Sequence, residues 1–176
     1  MITGPSGVGK GTLIAELRRR LPQLELSVSA TTRPPRAGEV DGREYHFLSG
    51  EEFERRVAAG EFLEHAVYGG HRYGTLRSEV DGRLAAGSSV VLEIEVEGAR
   101  QVREAMPEAV TIFIAPPDPA DLRARLEGRR TDSPEAIAGR LRTAESELAA
   151  RDEFQHLVTN DEVERAAAEL EKLVAG

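Results

Sequence analysis

The chain is 176 residues long, 40% hydrophobic and 31% charged, with a net charge of −8 and no cysteine. That is enough chain for one domain with a real core; the missing cysteine excludes disulfide and thiolate chemistry, and the acidic balance argues against broad nucleic-acid binding, which wants a basic face. No apolar run nears the roughly 20 residues of a membrane span and no basic-then-apolar leader opens the chain, so no membrane partner is expected and the expected setting is cytoplasmic.

Only Met1, Ile2 and Thr3 precede the first motif. A phosphate loop normally hangs from the end of a buried strand, so the natural chain is expected to begin several residues earlier. The motif is Gly4-Pro5-Ser6-Gly7-Val8-Gly9-Lys10-Gly11-Thr12. It reads as a phosphate loop, with Gly11 where Ser or Thr usually follows the lysine. Glycines let successive backbone N–H groups curl towards one point, and the helix behind adds the positive end of its dipole. Lys10 and Lys172 are the only lysines; every other basic side chain is arginine or histidine. A chance lysine after a plain glycine turn is therefore the weaker reading.

Leu13, Ile14, Leu17 and Leu21 repeat at helical spacing, which predicts a helix over 10–21 stopped by Pro22. Residues 24–30 alternate as a short strand. Thr31 to Glu39 holds two prolines and a glycine, so it is neither helix nor strand. Its Arg33 and Arg36 form either an anion clamp or an ordinary polar loop. A strand over 45–48 follows, then a capping box from Ser49 to Glu52 and a short helix to Gly60. Residues 62–67 alternate as a strand with Glu64 opposite Leu63 and His65; alone, Glu64 reads as an exposed carboxylate. A turn over 68–75 and a helix over 76–86 complete a block, roughly residues 29–80, that reads as an inserted α+β lobe. Regular alternation then resumes: strand 90–94, helix 96–105, strand 110–114, and a helix opened by Asp118 and Pro119 running to about Leu126. An arginine-bearing break precedes a helix from Ser133-Pro134 with Ile137, Leu141, Ala144 and Leu148 on one stripe. Strand 156–159 and a helix capped by Asp161 end the chain. Alternating strands and helices predict a three-layer α/β fold with a central parallel sheet.

A phosphate nest, a rigid double-arginine loop and a third arginine group (Arg125, Arg129, Arg140) meet the needs of phosphoryl transfer, which asks for alignment and positive charge rather than covalent help. A mobile lid would exclude water.

With these segments in view, the chain resembles the guanylate kinases, P-loop nucleoside monophosphate kinases, over nearly its whole length. The loop at 4–12 is similar to the family's, where Gly after the lysine is usual. Ser27-Val28-Ser29-Ala30-Thr31-Thr32-Arg33-Pro34-Pro35-Arg36-Ala37-Gly38-Glu39 resembles its signature, continued by Gly42-Arg43-Glu44-Tyr45-His46-Phe47. Tyr73-Gly74-Thr75, Ile114-Ala115-Pro116-Pro117 and Leu126-Glu127-Gly128-Arg129 also fit. The resemblance implies one domain over 1–176, with a core at 1–28 and 81–176, a GMP-binding lobe at about 29–80 and a helical lid at about 125–142. It implies that ATP is held by Gly4, Pro5, Ser6, Gly7, Val8, Gly9, Lys10, Gly11 and Thr12, with Arg125, Arg129 and Asn160. It implies that GMP is held by Ser29, Arg33, Arg36, Tyr45, Glu64, Tyr73, Thr75 and Glu95, and that Lys10, Arg33, Arg129 and Arg140 act on the transferring group. Mg2+ would arrive with ATP, with Thr12 and Glu93 as indirect contacts. ATP and GMP are the implied partners, with no obligate protein partner. Glu64 can accept from guanine N1–H and the 2-amino group together, whereas adenine offers neither donor there. Glu93 and Glu95 stand where the family usually has aspartates, and reach one methylene further. The competing expectation is a catalytically inactive guanylate-kinase-like interaction module, which tends to lose the lysine and arginines kept here.

Overall fold

The computed structural model describes residues 1–122 and 134–175, which divide into two compact units. The first holds Met1–Pro22, Glu93–Val96 and the chain from Val110 onward. Its sheet has three strands, β1 (Ile2–Thr3), β8 (Ile112–Ala115) and β9 (His156–Thr159), in the order β1-β8-β9 and all parallel. Ile2 also bridges Glu93 in parallel. Every residue of β8 is buried, as expected of a strand covered on both faces. Helices α1 (Lys10–Arg20), α5 (Pro134–Ala149) and α6 (Val163–Ala175) complete the described part. Leu13, Ile14 and Leu17 of α1 are buried, each contributing about 1.5–3 kcal/mol over exposure. At its end Arg20 pairs with Glu16 and with Glu164 and Glu171 of α6. On β8, Phe113 packs with Val96, Ala115 and Ala150, and its ring lies 5.2 Å from that of Phe154. Parallel strands put their carboxyl ends on one edge, the edge where open α/β sheets bind ligands. The chain leaves β1 there into the loop at 4–9, and leaves β9 there into Asn160.

The second unit holds Gln23–Leu92 and Glu97–Ala109. Here β2 (Leu24–Leu26) and β7 (Ser89–Val91) pair in parallel. A four-stranded sheet runs β4-β3-β6-β5, from β3 (Ala30–Thr31), β4 (His46–Phe47), β5 (Phe62–Tyr68) and β6 (His71–Leu76). Helices α2 (Gly50–Ala58), α3 (Arg77–Ala85) and α4 (Val96–Ala105) flank these strands in sequence. Phe53 and Phe62 stack at 4.5 Å in a cluster with Ala30 and Leu76.

Three elements show where the structure departs from the sequence reading. The strand expected over 24–30 is two strands in two sheets: Val28 N–H turns to the Glu79 carboxylate, and β3 begins only at Ala30. The turn expected over 68–75 is two residues long. Gly69 and Gly70, at φ 58° and 80°, supply the two positive φ angles of a tight hairpin, so 71–76 is free to be a strand. The capping box is half made: Ser49 Oγ accepts from Glu52 N–H at 3.1 Å, while the Glu52 carboxylate goes to Arg55 and Arg56. Asp118 accepts from Ala120 N–H, as a helix cap should; the rest of that helix, and half of the expected lid, lie outside the described residues.

Candidate active site

In the first unit the loop at 4–9 leads straight into α1, whose N-cap is Gly9 at φ 97°, ψ 21°. A side chain is disfavoured there twice over: by the left-handed backbone, and because a Cβ would come within 2.6 Å of Asn160 Nδ2. That nitrogen donates to Val8 O at 2.7 Å from a buried position. Asn160 therefore braces the loop apex across 152 residues of sequence. No acidic residue occupies the first turn of α1, so the helix dipole faces the loop unopposed. The Lys10 ammonium folds back onto the loop, donating to Gly4 O at 2.5 Å and Pro5 O at 3.3 Å. Gly7, Gly11 and Thr12 complete the segment, with Thr12 exposed on the first turn of α1.

One group beside this loop escaped the sequence reading. Glu147 of α5 is 9% exposed, and its Oε2 has no hydrogen-bond partner among the described residues. Burial pushes its carboxyl up to about 7, the Lys10 charge and the Ser6 N–H oppose that rise, and the Glu95 carboxylate adds to it. The available signal was a carboxylate three residues beyond Ala144, beside the apolar stripe of that helix. Glu93 and Glu95 themselves are exposed. Glu95, implied above as a guanine contact, is thus one of the charges felt by Lys10 and Glu147.

In the second unit the arginine loop is set by its threonines. Thr31 Oγ1 accepts from Arg33 N–H and donates to Arg72 O; Thr32 exchanges bonds with Arg72 as well. The Arg33 guanidinium donates to Glu39 at 2.8 Å and to Pro34 O at 2.8 Å, and lies 5.3 Å from the Tyr45 ring centre. Tyr73 stands edge-on to Tyr45 at 6.0 Å and adds to the stabilisation of the Arg33 charge. Glu39 also takes Arg36 N–H at 2.6 Å. The Arg33 guanidinium first, and then the Arg36 N–H, hold its carboxyl below the usual range. Arg33, Tyr45 and Tyr73 are thus gathered, with Glu39 as a clamp that the sequence reading had left without a role. Arg36 is exposed, and Ser29 offers its carbonyl to His46 N–H.

Glu64 is 6% exposed, against its expected place on the outside of β5. The alternation fails because the β5–β6 register shifts between Phe62 and Glu64, so Phe62, Leu63 and Glu64 are all buried. Its Oε1 accepts from the fully buried Thr75 hydroxyl at 2.7 Å. A buried carboxylate anchored on one side is a strong acceptor for paired N–H donors. Arg125 and Arg129 lie outside the described residues; Arg140 lies on α5.

Comparison with known proteins points to one family. The family model described as guanylate kinase matches residues 1–176. A guanylate kinase of Frankia casuarinae is 57% identical over 100% of this chain and 96% of its own length. One of Thermobifida fusca is 54% identical over 99% of this chain and 89% of its own. Among solved structures, the guanylate kinase of Anaplasma phagocytophilum superposes with a TM-score of 0.78 at 31% identity, covering 99% of this chain and 84% of that one. The shikimate kinase of Bacteroides thetaiotaomicron, at 19% identity and TM-score 0.55 over 99% of this chain and 96% of that one, shares the fold.

Proposed function

The chain belongs to the guanylate kinase family, and on that premise we propose which of its residues carry the reaction. It is an enzyme that transfers the terminal phosphoryl group of ATP to GMP, giving ADP and GDP. The loop at 4–12 cradles the ATP phosphates through its backbone N–H groups, and Lys10 leaves the Gly4 and Pro5 carbonyls to meet their charge. Arg33 and Arg36, with Tyr45 and Tyr73, hold the GMP phosphate. Ser29, Glu64 and Thr75 read the base, and Glu95 stands within reach of the loop lysine's field. Arg125, Arg129 and Arg140 serve the donor phosphates. ATP and GMP are its substrates, and a cytoplasmic setting is the reading they support.

The observation that carries the choice of guanine is the buried Glu64 carboxylate held by Thr75. Adenine would leave that carboxylate facing a lone pair with no donor, a penalty far larger than the loss of a surface contact. The inactive-module reading finds no support in a chain that retains Lys10 in an intact loop. Mg2+ fits the donor side: the exposed Thr12 hydroxyl and Glu93 carboxylate are hard oxygen donors, enough beside phosphates and water for an ion that seldom uses an all-protein cage. When bound, it would offset the charge on the outer phosphates.

A coupled ADP-release assay with GMP, AMP, CMP and UMP tests the assignment. Turnover is expected with GMP and is expected to vanish in Lys10→Met. Turnover of AMP at comparable efficiency would overturn the base pocket.

A further inference from the structure

We propose that Gly98 is a positioning residue for base selection: the missing side chain at this point of α4 fixes where the Glu64 carboxylate stands. The inference rests on the reading of Glu64 as the guanine acceptor. Gly98 is buried in the first turn of α4, and a Cβ built on it would lie 2.6 Å from Glu64 Oε2, 3.2 Å from Cδ and 3.4 Å from Cγ. The Glu64 side chain therefore lies directly over the Gly98 Cα. Thr75 fixes one carboxylate oxygen from the strand side; Gly98 bounds the other from the helix side.

An added methyl group could be relieved in three ways, and two are blocked. The helix could back away, but Gln101, one turn on, is locked to the strand beside Glu64. Its Oε1 accepts from His65 N–H at 3.1 Å and its Nε2 donates to His65 O at 3.0 Å. The strand could shift, but β5 is zipped to β6 from Glu64 to Tyr68. Gly74 on β6 also lies so close that its own Cβ would come within 2.7 Å of Glu64 O. What remains is the far end of the Glu64 side chain, which moves at the expense of its bond to Thr75. Alanine suits a helix interior better than glycine, so the change falls on the carboxylate and not on the fold.

Gly98→Ala is the test, with GMP and IMP as acceptors. IMP keeps the N1–H but lacks the 2-amino group, so the ratio of the two kcat/KM values reports the carboxylate's position. The KM for GMP is expected to rise roughly ten- to hundredfold, the loss of a charge-assisted bond. The GMP-to-IMP ratio is expected to fall, while the ATP KM stays put. A wild-type GMP KM and ratio in folded Gly98→Ala would overturn the proposal. Glu64→Gln separates the two levels. If it leaves the GMP KM unchanged, the reading of Glu64 fails and this inference with it. If it raises the KM while Gly98→Ala does not, only the role of Gly98 fails. Should Gly98→Ala not fold, Gln101→Ala decides, since it frees the same helix without adding atoms. A reduced GMP-to-IMP ratio supports the role, and an unchanged one overturns it.

Discussion

Glu147→Gln isolates the cost of a buried carboxylate beside the phosphate loop. In the folded chain this group titrates at about 7, against an ordinary 4.5, chiefly because burial penalises its charge. Below pH 4.5 both folded and unfolded chains hold the proton, and the group contributes nothing. As pH rises beyond that value the unfolded chain releases the proton first, so unfolding gains and stability falls. The loss levels off once the folded carboxyl also ionises, near pH 7. A rise of this size corresponds to about 3 kcal/mol, or a melting shift of roughly 6–12 °C for a chain of this length. Glutamine carries no charge to bury, so the variant escapes this loss. It does bury two amide N–H donors, a handicap of about 1–3 kcal/mol if they go unpaired, but that handicap is the same at every pH. The quantity to read is therefore the difference in melting temperature between variant and wild type, followed from pH 4 to 8.5, the range that brackets both titrations. Other titrating groups are common to both chains and cancel. The difference should climb in the variant's favour across the acid-to-neutral window and then flatten. Parallel curves would refute the reasoning, because they would mean that Glu147 titrates like a surface carboxylate.

Two further changes probe one unit each. Thr75→Val removes the hydroxyl that donates to Glu64 Oε1 and leaves a buried acceptor unpaired; about 1–3 kcal/mol of stability should go, with a higher GMP KM and an unchanged ATP KM, read by thermal melting and steady-state kinetics. Asn160→Ala removes the buried donor to Val8 O and should cost about 1–2 kcal/mol, this time raising the ATP KM and sparing that for GMP.

What the sequence makes legible is local. Helix α4 spans the expected 96–105 and β9 the expected 156–159, where the regular alternation of strand and helix decides the reading. The phosphate loop is equally plain, since its function lies in contiguous backbone. The region proposed to read guanine is only partly so. The burial of Glu64 depends on a register shift that no periodicity announces, and taken alone the alternation in β5 puts this carboxylate on the wrong face. Pairs far apart in the chain leave no local trace at all: Asn160 with Val8, Gln101 with His65, Gly98 with Glu64. In each, one partner is a small or polar residue that fits its own helix or turn well enough to need no other explanation. Glu147 is the intermediate case, a charged residue beside an apolar stripe, whose burial the stripe alone does not announce.

The phosphate loop sits in a chain of net charge −8, with Glu95 and Glu147 both within the field of Lys10. A lone ammonium among carboxylates would seem a poor attractor for a polyanion. Three features of the first unit tilt the balance. The first turn of α1 carries no acid, so the dipole is not cancelled where phosphate would lie. Glu147 titrates near neutrality, so close to pH 7 it spends much of its time uncharged and subtracts less from the loop's potential than an ordinary glutamate would. Lys10 rests on the Gly4 and Pro5 carbonyls, neutral acceptors that keep its ammonium at the loop. Lys10 is thus held close to the loop. A fully ionised glutamate at position 147 would have set a whole negative charge against that lysine, whereas the buried one, raised to about 7, sets less.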